Sequence, residues 1–134
     1  GGRLFSLTSA HTENEGSDDK YRVGQSKSAM SQTYAFAKPL GVISRWQIYA
    51  GDFNDHDNVL AAFKAKGYVD SFTRASVAKR IKAAVQSFGT YLKVYNGKRI
   101  DLICVYKDVT VLRAEQITAY ADSDHHPQLV EIQL

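Results

Sequence analysis

The chain has 134 residues, of which 44% are hydrophobic and 23% charged, with a formal net charge of +3. That composition excludes disorder and gives room for one domain able to bury roughly two thirds of its unfolded surface. A single cysteine, Cys104, excludes an internal disulfide, and no apolar run approaches the ~18–20 residues of a membrane-crossing helix.

The small positive excess favours anionic partners without singling out nucleic acid. The chain opens Gly-Gly-Arg-Leu-Phe, with no initiator Met and no signal-like start, which reads as a processed product or a fragment. Residues 3–10 alternate as a strand does, with Phe5, Leu7, Ser9 and His11 on one face. A polar loop from Thr12 to Asp19 then ends in a helix cap. The next helix is expected over 20–37, with Met30, Tyr34 and Ala37 on one side and Pro39 as its stop.

Trp46–Ala50 reads as a second strand that runs directly into Gly51-Asp52. A short helix is expected over 58–66, capped by Asn58 and ended by Gly67. The clearest helical periodicity lies over 76–88, where Val77, Ile81, Ala84, Val85 and Phe88 form one stripe. Strands follow over 99–106, 109–113 and 129–134, and Cys104, within Ile-Cys-Val, reads as a buried packing thiol. These elements predict one α/β unit, a mixed sheet with flanking helices, and no internal repeat or linker.

Three fragments carry chemistry: Gly51-Asp52-Phe53-Asn54, Arg99-Ile100-Asp101 and Ser123-Asp124-His125-His126. In an extended strand, Asp52 and Asn54 would face one way, an anion beside a hydrogen-bond donor. Hydrolysis of a phosphate ester needs that combination, a group to orient water and a donor for the phosphate oxygens. Gly51 would allow close backbone approach, with Phe53 turned to the core. An Asp-x-Asn by itself equally marks a turn that satisfies local backbone groups.

Asp52, Asn54, His56 and Asn58 imitate alternate ligands of a calcium loop, but position six is not glycine and position twelve is Phe63. Asp101 begins an apolar strand, where it either reaches solvent or orients a histidine. Adjacent His125 and His126 diverge, so one of them at most points into a site. Arg74, Lys79, Arg80 and Lys82 could meet a nucleic-acid backbone, and a solvated helix face accounts for them as well.

Taken in order, these fragments resemble the endonuclease/exonuclease/phosphatase superfamily, with its DNase I-like fold. Gly-Asp-Phe-Asn at 51–54, Arg-Ile-Asp at 99–101 and Ser-Asp-His at 123–125 match its elements. Ser9-Ala10-His11-Thr12, Arg22-x-x-Gln25 and Phe88-Gly89-Thr90-Tyr91 are similar to its flanking segments. The resemblance implies that residues 1–134 are the C-terminal portion of such a domain, about half of a four-layer α/β sandwich.

It further implies a metal-dependent phosphoesterase, nuclease-like in the first instance, acting on a phosphate ester such as DNA or RNA. Asp52 would orient or deprotonate water, Asn54 would bind the scissile phosphate, and Asp101 would pair with His125 in proton transfer. His11 would be a second histidine on the phosphate, and Asp124 would hold the divalent metal, magnesium or else manganese or calcium. His126 receives no role.

The family's N-terminal half, with a metal-binding Glu, has no counterpart in these residues. Half a sandwich leaves an apolar sheet face uncovered. The expected cover is a separate chain carrying the N-terminal half, or a homodimer. A non-catalytic, degenerate binding module of the same fold is the alternative.

Overall fold

The computed structural model describes residues 4–12, 18–55, 57–75, 99–117 and 125–133. Strand β1 (Ser6–His11) leads to helix α1 (Asp19–Ala37), strand β2 (Gln47–Asp52), helix α2 (Asp57–Lys64), strand β3 (Tyr68–Asp70) and the single turn α3 (Ser71–Arg74). Strands β4 (Asp101–Tyr106), β5 (Thr110–Gln116) and β6 (Gln128–Gln133) follow. The expected helix over 76–88 lies outside the described residues, as do Lys79, Arg80 and Lys82.

The strands form two sheets. One has four strands in the order β1-β2-β4-β3, mixed because β1 runs parallel to β2 while the other pairs are antiparallel. The other is the antiparallel pair β5-β6. Period-two alternation gives the larger sheet two unlike faces. Tyr49, Leu102 and Cys104 point to the helix side and pack with Met30, Val59 and Phe63 in the main core. Ile48, Ala50, Ile103 and Val105 point the other way, toward β6.

Helix α1 begins where the Asp18 carboxylate accepts the Lys20 and Tyr21 backbone N–H groups. Its buried row is Ser26, Met30 and Ala37, whereas Tyr34, expected on that row, is 48% exposed. After Ala37 a 3-10 turn carries Pro39, and Gly41 takes a left-handed φ of 74°. Asn58 is not the cap of α2: its own N–H donates to Asp55 Oδ1 at 3.3 Å, and its side-chain amide reaches Asp19 on α1. Of the residues that imitate a calcium loop, Asp52 ends a strand and Asn58 lies in a helix.

Gly67 reverses the chain at a φ of 86° into β3. At the end of β3, the buried Asp70 accepts from the Phe72 N–H and forms an ion pair with the buried Arg99. The Arg99 guanidinium also lies 4.5 Å from the Phe72 ring centroid. Cys104 is fully buried, and burial pushes its thiol pKa up, which agrees with a packing role.

Candidate active site

The site is one cross-strand row. Backbone register places His11 opposite Asp52, and Asp52 opposite Asp101, across β1, β2 and β4. The alternation that turns Ile48 and Ile103 toward β6 turns Asp52 and Asp101 the same way. These carboxylates therefore stand at the rim of the space between the sheets. His125, just ahead of β6, reaches the row from the second sheet.

Its Nδ1 lies 2.9 Å from Asp101 Oδ2. An ionised carboxylate only accepts, so Nδ1 carries the proton and Nε2 faces Asp52 Oδ2 at 3.8 Å. His11 Nε2 stands at the same 3.8 Å from that oxygen, on a side chain that is 74% exposed. Ligand atoms of Asp52, Asp101 and His125 lie within 4.8 Å of one another.

Burial raises the Asp52 pKa above the ordinary carboxylate value, and the negative Asp101 adds to the rise. The Asn54 N–H and the two histidines pull it back down. Two partly buried carboxylates that repel each other beside an imidazole are a donor set suited to an oxygen-preferring divalent cation.

Asn54 departs from the extended geometry expected of it. The chain leaves the strand after Asp52, and Asn54 takes a positive φ of 50°. Its N–H donates to Asp52 Oδ1 at 2.8 Å, and its side-chain Nδ2 donates to the Thr12 carbonyl at 2.7 Å. The i, i+2 argument therefore fails. A turn brings Asn54 back beside Asp52 and satisfies local backbone groups, as an Asp-x-Asn by itself does.

Two other expectations hold at this corner. Phe53 is fully buried in the core, and its N–H donates to the Ile100 carbonyl at 2.8 Å. A Cβ at Gly51 would stand 1.8 Å from the Ala10 carbonyl oxygen, so only glycine lets β1 approach β2 here.

Asp124, the expected metal ligand, lies outside the described residues, as does His56. Of the adjacent histidines His125 is the one in the row. His126 is packed away, 7% exposed, with a buried Nδ1 that has no hydrogen-bond partner among the described residues.

Three residues support the site: Thr12 and Arg99, which the motif segments contain without a role of their own, and Gln128, which no motif includes. Thr12 is buried, bonds the Phe53 carbonyl through its hydroxyl, and holds Asn54. Gln128 donates to the Asp101 carbonyl at 3.0 Å. Arg99, paired with Asp70, anchors the chain two residues before Asp101. Arg99 carried a further signal, as a charged residue heading an apolar strand.

No protein-family model and no curated protein sequence matches the chain. Solved structures do match. A mannosyl-6-phosphatase of Bacteroides thetaiotaomicron superposes with a TM-score of 0.67 at 21% identity, over 96% of this chain and 51% of its own. An endonuclease/exonuclease/phosphatase family protein from the same organism gives 0.63 at 21% identity, over 94% and 49%. The endonuclease/exonuclease/phosphatase of Bacteroides vulgatus gives 0.62 at 19% identity, over 90% and 47%. The chain thus carries part of the DNase I-like fold of these proteins and spans about half their length.

Proposed function

We propose that this chain is the C-terminal portion of a divalent-metal-dependent phosphoester hydrolase, nuclease-like in its preference for phosphodiesters. The observation that carries this reading is the His11–Asp52–Asp101 row with His125 hydrogen-bonded to Asp101 at 2.9 Å. An imidazole held by a carboxylate through Nδ1 is fixed in tautomer and aim, and its protonated form is stabilised. The Nε2 edge then serves phosphate oxygens as negative charge builds on them.

Asp52 orients the attacking water and takes up its proton, a task that suits a carboxyl with a raised pKa. Asn54, pinned by Thr12, presents its amide to the phosphate beside it, and His11 supplies an exposed second imidazole. Asp52 and Asp101, with Asp124 from the same segment as His125, would hold magnesium, or manganese or calcium in its place. When bound, such an ion neutralises charge on the phosphate and lowers the pKa of water. The sheet face left uncovered among the described residues would be covered by a separate chain carrying the N-terminal half, or by a second copy of this chain.

Substrate preference is tested with a panel containing bis-p-nitrophenyl phosphate, plasmid DNA, RNA and a mannose 6-phosphate monoester, each with magnesium. Nicking of plasmid and cleavage of the diester, with the monoester spared, is the expected outcome. Cleavage of the monoester alone would overturn the nuclease-like preference and align the chain with the mannosyl-6-phosphatase it resembles. A folded protein inert on the whole panel would support a non-catalytic module.

A further inference from the structure

Among the described residues, Asn54 alone combines a side chain with a positive φ, 50°. Asparagine tolerates that left-handed region better than most residues, at a cost that its surroundings must offset. The peptide unit that sets this geometry joins Phe53 to Asn54, and side chains hold both of its polar ends. Its N–H donates to Asp52 Oδ1 at 2.8 Å. Its carbonyl, on the fully buried Phe53, accepts from the Thr12 hydroxyl. Turning this peptide over would set the carbonyl oxygen against the Asp52 carboxylate and carry Asn54 out of its left-handed geometry.

Thr12 is the hub of this corner. The parallel pairing of β1 with β2 ends at His11 opposite Asp52, and Thr12 follows directly. Its N–H donates to the Asp52 carbonyl at 2.9 Å, its hydroxyl donates to the Phe53 carbonyl, and its own carbonyl accepts from Asn54 Nδ2 at 2.7 Å. One residue thus bonds three successive residues of the turn. A carbonyl oxygen only accepts, so the last of these bonds fixes which way round the Asn54 amide lies. One Nδ2 hydrogen is committed to Thr12, and the second is left for a phosphate oxygen. Thr12 is 3% exposed, and a valine would fill its volume without a hydroxyl to desolvate. Packing alone therefore gives no reason for the hydroxyl, whereas the Phe53 carbonyl does.

We propose that the Thr12 hydroxyl locks the Phe53–Asn54 peptide and thereby sets the orientation of the Asn54 amide and the Asp52 carboxylate, which makes Thr12 a positioning residue of the site. It touches no reacting atom and acts through Asn54. The lock itself rests on these hydrogen bonds, and its effect on turnover rests on the hydrolytic reading of Asp52 and Asn54 given above.

Thr12→Val tests the lock, because it places a methyl where a hydroxyl now stands at bonding distance from a carbonyl oxygen. Thr12→Ala, which removes the donor without adding bulk there, is its companion, and Thr12→Ser keeps the donor. By NMR of the isotope-labelled chain, the Asn54 side-chain amide protons are expected to exchange with water about tenfold more slowly than those of an exposed asparagine. That protection should vanish in Thr12→Val and Thr12→Ala and persist in Thr12→Ser. Protection absent from the unmodified chain, or unchanged in both donor-free variants, would overturn the proposal. Neither result requires turnover. With bis-p-nitrophenyl phosphate and magnesium, Thr12→Val is expected to lower kcat by about 10–10²-fold with KM within about twofold, and Thr12→Ser to keep most of the activity. An Asn54→Gly background keeps the left-handed backbone and removes the amide, so Thr12→Val should there cost less than about threefold more. Equal losses in both backgrounds would reduce Thr12 to a structural residue and overturn the positioning role. Protection that follows the Thr12 hydroxyl in a chain without turnover would support the lock and contradict the hydrolytic reading alone.

Discussion

Asp52 serves two ends that conflict. Its Oδ1 stabilises the turn by accepting the Asn54 N–H, while Oδ2 stands among two imidazoles and within reach of Asp101. Burial first, and then the Asp101 charge, raise its pKa in the folded chain. A carboxyl raised on folding favours the folded state below its unfolded pKa and opposes it as pH rises through the folded value. Asp52→Asn keeps an acceptor for the Asn54 N–H and removes the charge. It is therefore expected to raise the thermal midpoint at neutral pH, to have no such effect at about pH 3, and to abolish turnover. A circular-dichroism melt at the two pH values checks this, and a loss of stability at neutral pH would contradict it. At Asp101 the effect is kinetic. Asp101→Asn offers His125 Nδ1 an amide in place of a carboxylate and is expected to lower kcat by about 10²–10⁴-fold with little change in KM.

Among the elements, the entry to β4 matters most for the site. The Asp70–Arg99 pair is buried and fixes the segment from which Asp101 emerges. Arg99→Met leaves a buried carboxylate uncompensated and is expected to cost about 3–5 kcal/mol in denaturant unfolding. Adding Asp70→Leu should recover much of it, short of the Phe72 N–H that Asp70 also caps. Gly51→Ala forces a Cβ against the Ala10 carbonyl oxygen and should cost about 1–3 kcal/mol by the same measurement.

These two positions show what the sequence made legible. Strands β1, β2 and β4 were evident because their apolar residues alternate or run unbroken, and α1 because a polar loop ending at Asp19 and Pro39 bracket it. Strand β3 and α3 were missed, being three and four residues held by pairing with Tyr106, Val105 and Cys104 and by Arg99 rather than by any periodicity. The division of strands into two sheets was hidden for the same reason, since partners distant in sequence decide it. Motif fragments brought Asp52, Asp101, His125 and His11 to notice. The left-handed turn at Asn54 and its Thr12 support depend on a contact 42 positions away, which no local pattern displays.

At the scale of the whole molecule, the described residues form two facing sheets with helices outside the larger one. Among the described residues, helices cover one face of the larger sheet, a two-stranded sheet faces the other, and the candidate site lies at the rim between the layers. Placement at that rim lets His125 reach Asp101 from the opposing sheet, so the site depends on the packing of both layers. The most direct measurement of the central claim is hydrolysis of bis-p-nitrophenyl phosphate by the folded chain with magnesium, beside an EDTA control and the Asp52→Ala and His125→Ala variants. Slow turnover that stops with EDTA and with either substitution is the expected result. Turnover that survives both substitutions, or none from protein shown to be folded, would contradict the assignment of this row as the hydrolytic centre.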